Sequence, residues 1–129
     1  MIGLLGRPAP ADDAGPQRRA YLAVIGAPGS HVLLADLDGT PAGVAAMLVR
    51  PRLNWPTPEA WLSDLYVAVP ARGHGVGRAL VDACAGIASE AGCHLLRLEA
   101  GHGRREAHAL YASLGFRHAG RDYQLALAP

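Results

Sequence analysis

The sequence predicts a mixed α/β (α+β) fold, an antiparallel meander that gives way to alternating helix and strand. Three observations carry that class. Between residues 31 and 69 three apolar runs follow one another, the first two joined by Asp38-Gly39, a dipeptide suited to a tight hairpin turn. From Val76 onward the apolar positions switch to the three-and-four spacing of an amphipathic helix. Both patterns lie within 129 residues without an internal repeat, a length that suits one domain, residues 1–129, with its own core.

The elements follow in order. Residues 1–16 are rich in Pro, Gly and Asp, and only Ile2 to Leu5 suit a short strand. Residues 17–25 suit a helix with Tyr21, Leu22 and Ile25 on one face, stopped by Gly26, Pro28 and Gly29. Strands are expected at 31–37 and 42–49. The segment 51–58, PRLNWPTP, carries three prolines and reads as a loop. A third strand follows at 61–69. The next helix places Val76, Leu80, Ala83, Cys84, Ile87 and Ala91 inward and ends before Gly92. Residues 93–100 form a strand with Leu96 and Leu98 on one side and Arg97 and Glu99 on the other. Gly101-His102-Gly103 is a loop. A short helix at 104–114, with Ala107, Leu110, Tyr111 and Leu114 inward, closes at Gly115. One or two strands occupy 116–127.

Composition narrows the chemistry. Half of the residues are hydrophobic but only 5% are aromatic, so the core is built mainly from Ala, Val and Leu. A net charge of +1 gives no nucleic-acid footprint. All 12 basic residues are arginine, which excludes a lysine Schiff base and the lysine of a Walker loop. Cys84 and Cys93 make no disulfide framework and suit a reducing, cytoplasmic setting. No apolar run approaches the roughly 20 residues that span a bilayer. His102 and His108, six apart, do not share a helix face, so no metal site is expected.

The segment RGHGVGR, residues 72–78, links a strand to a helix start, where unpaired N–H groups and the helix dipole favour a phosphate. Its glycines fit neither the Walker spacing nor the dinucleotide fingerprint G-x-G-x-x-G. They do fit R-x-x-G-x-G, as Arg72, Gly75 and Gly77. Further on, Ala107, Leu110, Tyr111, Gly115 and Phe116 read A-x-x-L-Y-x-x-x-G-F. Together these segments resemble the GCN5-related N-acetyltransferase (GNAT) family, over residues 31 to 127.

The resemblance implies a mixed, mostly antiparallel sheet with a central splayed parallel strand pair and flanking helices. It implies an acetyl-CoA-dependent N-acyltransferase that passes an acetyl group to a primary amine, on a small molecule or a protein, by direct attack. The pantetheine arm would pair with the main chain of Tyr66, Val67, Ala68 and Val69. The pyrophosphate would lie in the loop Arg72, Gly73, His74, Gly75, Val76, Gly77 and Arg78. Arg104 stands where the family often has a cofactor-contacting asparagine. Tyr111 matches the tyrosine that protonates the leaving thiolate.

The attacking amine must lose a proton, which for a pKa near 10.4 costs roughly 4.6 kcal/mol at pH 7. Glu59, Asp64 and Glu99 are the candidate bases; Glu59 is preferred, with a water relay left open. Pro70 stands one residue later than the family's proline, so a bulge or register shift is expected in the third strand. The region before residue 31 has room for one helix where the family usually has two. The acceptor pocket is then either open or completed by a second subunit, as a homodimer. A catalytically idle CoA-binding sensor or scaffold of the same fold is the alternative function. Trp55 and Trp61 either line the acceptor entrance or pack in the core.

Overall fold

The computed structural model describes residues 15–99, 105–120 and 122–127. The strand expected at Ile2 to Leu5, the loop Gly101-His102-Gly103 and Arg104 lie outside them. The chain divides into two compact units, Met1–Leu98 and Glu99–Pro129.

In the first unit, α1 (Gly15–Gly26) precedes a sheet ordered β1-β2-β3-β4, comprising β1 (Ser30–Leu37), β2 (Thr40–Arg52), β3 (Trp55–Val67) and β4 (Leu96–Leu98). The first three strands are antiparallel, and β4 runs parallel to β3. The Asp38-Gly39 turn has positive φ at both residues, 53° and 82°, which matches the right-handed twist of the two strands that it joins. Helix α2 (Val76–Glu90) returns the chain from the end of β3 to the start of β4.

Two sequence expectations need correction here. Residues 51–58 are not a loop: β2 and β3 extend through the prolines to a turn at Leu53-Asn54. Pro51 falls at a register irregularity between Arg50 and Arg52, and β1 stops pairing at Leu48, so no ladder bond is lost there. Pro58 lies on the β4 side of β3, where its carbonyl accepts from His94 N–H (3.1 Å), and β4 begins only beyond it. Proline is tolerated where no N–H is required. Helix α1 has no buried residue, and Leu22 and Ile25, expected inward, are exposed.

The core is small-residue-rich, as the composition requires. Ala42, Val44, Ala45, Ala46 and Met47 of β2 and Ala60 and Leu62 of β3 are all buried. Helix α2 covers one face with Val76, Leu80, Cys84 and Ala88, a ridge of four-residue steps, joined by Val81. Ala83 and Ala91 are exposed, so the buried stripe is rotated from the one expected. Close approach depends on Gly43. A Cβ there would come within 2.9 Å of Tyr66 O, 3.0 Å of Val76 Cγ1 and 3.1 Å of Leu80 Cδ1. That absent methyl seats the first turn of α2 against the end of β3.

The second unit holds α3 (Arg105–Ser113). Gly115, at φ 91°, ends the helix and lets Phe116 turn back, its N–H donating to Tyr111 O (3.0 Å). The strands expected at 116–127 are absent among the described residues of that stretch. Tyr123, Leu125 and Leu127 alternate as in a strand, but all three are exposed, so the alternation has no apolar surface to bury.

Candidate functional site

The pairing of β3 with β4 covers only part of β3. Ala60, Trp61 and Leu62 pair with Leu96, Arg97 and Leu98, and β3 then continues for five residues with β2 as its partner. Where the β4 pairing ends, Ser63 is an extra residue: Ala46 pairs with Asp64 and Met47 with Leu62. This is the bulge expected in the strand, placed earlier than Pro70 suggested. Its Oγ lies 3.2 Å from Ala46 O and 3.1 Å from Asp64 Oδ2, two acceptors that share its one proton. The bulge reverses the alternation, so Glu59, Trp61, Asp64 and Tyr66 share one face, opposite α2.

Beyond the bulge the backbone groups divide by alternation. Ala68 N–H donates to Ala42 O (2.7 Å), so Ala68 and, two residues earlier, Tyr66 face β2. Leu65 and Val67 face the open side. The carbonyls of Ala68 and Val69 accept from Ala71 N–H and Arg72 N–H within a 3-10 turn, Val69–Ala71. Of the four residues expected to pair with a pantetheine arm, Val67 therefore turns its main chain to the edge of β3 away from β2. Leu65, which the sequence reading passed over, joins it.

The glycine loop ends at the first turn of α2. Gly75 is the N-cap at φ 80°, with no side-chain cap, and the first turn has no acidic residue. The first N–H with a partner four residues back is that of Ala79, bonded to Gly75 O (3.0 Å). The N–H groups of Val76 and Gly77, in the first turn, have no such acceptor within the helix. Gly73, at φ 82°, and Gly75 hold conformations that side chains disfavour, and a Cβ at either would point into open space. His74 and Arg78 are exposed beside them. Arg72 Nε donates to Val67 O (3.1 Å), and its guanidinium lies 5.8 Å from the Tyr66 ring centroid. A row of amides at a helix start, approachable because glycine flanks it, fits a diphosphate.

Glu59 occupies the other end of β3. It is 1% exposed and is the one charged residue in the described core. Its Oε1 accepts from Arg50 Nε (3.1 Å), Arg50 Nη2 (2.9 Å) and Arg52 Nη1 (2.6 Å), and Arg97 Nη2 stands 3.7 Å from Oε2. Burial raises the carboxyl pKa, but Arg52 and Arg50 outweigh it and hold the group below its ordinary value. Such a carboxylate is a weak proton acceptor. The arginines were hidden in the sequence because the prolines broke the strand pattern between Arg50 and Glu59. Two-residue spacing of Arg50 and Arg52 was the available signal.

Around this cluster Arg50 lies over the Trp61 ring at 5.0 Å, and Trp55 stacks on His94 at 4.7 Å. His94 Nδ1 is 2.9 Å from Thr57 Oγ1. Trp55 thus packs on the surface, and Trp61 belongs to the arginine cluster. Neither cysteine is primed as a nucleophile. Burial pushes the Cys84 thiol up to about 11, and burial together with the Glu59 charge raises that of Cys93.

In the second unit, Tyr111 is half-buried on α3, its ring 5.8 Å from that of Phe116. Glu99 is exposed.

Solved structures share this architecture. A transcriptional regulator from Bacillus halodurans C-125 is 23% identical, with 98% of this chain and 91% of that one covered and a TM-score of 0.82. A putative acetyltransferase from Agrobacterium tumefaciens str. C58 is 26% identical over 94% and 83%, with a TM-score of 0.80. The aminoglycoside N-acetyltransferase AAC(6')-Iy, solved in complex with CoA, is 19% identical over 98% and 85%, with a TM-score of 0.82. No curated protein matches the chain significantly. The model of the acetyltransferase (GNAT) family matches residues 4–116, most of the chain, and that match establishes that the protein belongs to the GNAT family.

Proposed function

We propose that the protein is an acetyl-CoA-dependent N-acetyltransferase that passes the acetyl group directly to a primary amine. Acetyl-CoA as co-substrate fits the family. The observation that carries the reading is the uncapped, glycine-flanked start of α2, adjoining the unpaired edge of β3. The amides of Val76 and Gly77 hold the pyrophosphate, with Arg78 adding charge. The main chain of Leu65 and Val67 extends the sheet with the pantetheine amides, so the thioester lies near the bulge at Ser63.

The amine nitrogen attacks the thioester carbonyl, the C–N bond forms and the C–S bond breaks. Tyr111 gives its proton to the leaving thiolate, a transfer close to matched because a phenol titrates near 10 and a thiol near 8.5. Glu59 keeps its charge for the arginines, so water takes the proton from the ammonium. The raised thiol pKa values support transfer without an acetyl-cysteine intermediate. No helix among the described residues is long and apolar enough to cross a membrane, and the free thiols suit a cytoplasmic location.

Thiol release from acetyl-CoA, measured against a panel of amines, tests the reading, with calorimetry of acetyl-CoA binding alongside. Turnover with at least one amine is expected, and Tyr111→Phe should lower kcat by about 10²-fold or less with acetyl-CoA affinity nearly intact. Binding without turnover across the panel supports the idle CoA-binding module instead. An unaltered rate removes Tyr111 from the mechanism.

A further inference from the structure

The arginine cluster carries more positive charge than its one carboxylate offsets. Arg50, Arg52 and Arg97 face the single carboxylate of Glu59, and their side chains remain 35%, 40% and 38% exposed. Among the described residues, three guanidinium groups thus face one carboxylate, an excess of positive charge on a part-exposed surface. Two buried donors beside it also have no acceptor: Trp61 Nε1 and Arg97 Nε. These residues are register partners across β3 and β4. A buried donor without a partner costs about 1–3 kcal/mol, and such groups are retained for a reason.

The place of the cluster along β3 separates it from the pyrophosphate site. Glu59 and Val67 are eight residues apart, about 26 Å of strand. Trp61 and Arg97 sit one pair before the β3–β4 pairing ends. Asp64 lies on the same face, roughly 10 Å farther along. That face therefore carries positive charge at one end and a carboxylate at the other.

We propose that Arg97, Trp61 and Arg50 receive an anionic group of the acceptor, so that the substrate is a small amine also bearing a carboxylate or a phosphate. This inference rests on the acetyltransferase reading and names its substrate class. An incoming oxyanion meets the part-exposed guanidinium groups of Arg50 and Arg97 and offsets the surplus arginine charge, and a rearrangement of the cluster around it supplies acceptors to the buried Trp61 Nε1–H and Arg97 Nε–H. The ammonium end is drawn toward Asp64, near the bulge where the thioester lies. A polycationic acceptor is repelled at the same surface, in contrast to the acetylneamine bisubstrate analogue and the sisomicin that structures of similar fold contain.

The test has two readouts. In the CoA-saturated, ¹⁵N-labelled protein, the Trp61 indole N–H resonance is followed during titration with 4-aminobutanoate, O-phosphoethanolamine, n-butylamine or neamine. A saturable shift with either or both of the anionic amines, absent with n-butylamine and neamine, is expected; which one shifts it distinguishes carboxylate from phosphate. In thiol-release assays kcat/KM should favour the better anionic amine over n-butylamine by about tenfold or more. That ratio should collapse toward unity in Arg97→Gln and be partly restored in Arg97→Lys, with retained acetyl-CoA binding certifying the fold of each variant. No shift with either anion, or a ratio unchanged in Arg97→Gln, overturns the proposal even if amines are acetylated. Failure of acetyl-CoA to bind at all overturns the acetyltransferase reading instead.

Discussion

At the scale of single residues, Gly75, at the start of α2, and Glu59, on β3, are each fixed by their surroundings for a different task. Gly75 adopts φ 80° with open space where its Cβ would be, the space assigned to a phosphate. Gly75→Val strains the backbone and fills that space. Acetyl-CoA affinity should fall by about 10²-fold or more by calorimetry, from the lost charge-assisted hydrogen bonds; an unchanged affinity puts the pyrophosphate elsewhere. Glu59 is a buried carboxylate with a depressed pKa, held by arginines. Its contribution to stability is complete above the unfolded carboxylate value near 4.3 and is lost as pH falls through the lower folded value. Glu59→Gln should cost about 2–3 kcal/mol at pH 7, because it strands partly exposed guanidinium groups. In denaturant titrations the variant should also lose less stability than the parent on going from pH 6 to pH 3. Equal acid sensitivity would mean that other carboxylates carry that limb.

At the scale of elements, the helix that follows β3 is positioned by close packing. Gly43 of β2 lets Val76 and Leu80 of α2 pack onto the sheet where a side chain would collide with them. Gly43→Val should destabilise the fold by about 1–3 kcal/mol and lower Tm by several degrees. It should also weaken acetyl-CoA binding, since Val76, one of the displaced residues, begins the amide row. Full affinity in this variant would uncouple that contact from the site. The elements most legible in the sequence were those with a strong local signal: the Asp38-Gly39 hairpin, the amphipathic run from Val76 and the glycine loop. The long β2–β3 hairpin was not legible, because Pro51, Pro56 and Pro58 speak against a strand unless it is known which N–H groups the ladder needs. The reversed alternation at Ser63 was equally hidden, although the displaced Pro70 hinted at an irregularity. Without that bulge Glu59 and Asp64 would be assigned to opposite faces.

At the scale of the whole chain, an alanine-rich core and an all-arginine basic complement support a GNAT fold with a compact sheet and an arginine-ringed carboxylate. The glycine loop before α2 and the end of α3 at Gly115 were readable from spacing, because each depends on local backbone shape. The arginine cluster depends on pairing between β2, β3 and β4, which only tertiary structure brings together. The central claim is that the start of α2 and the unpaired edge of β3 hold CoA. Amide ¹H–¹⁵N spectra recorded during titration with CoA test it most directly. The largest shifts should fall on Gly75, Val76, Gly77 and Arg78, followed by Leu65 and Val67. Saturable binding that leaves these amides unmoved, or no binding at all, would contradict the account.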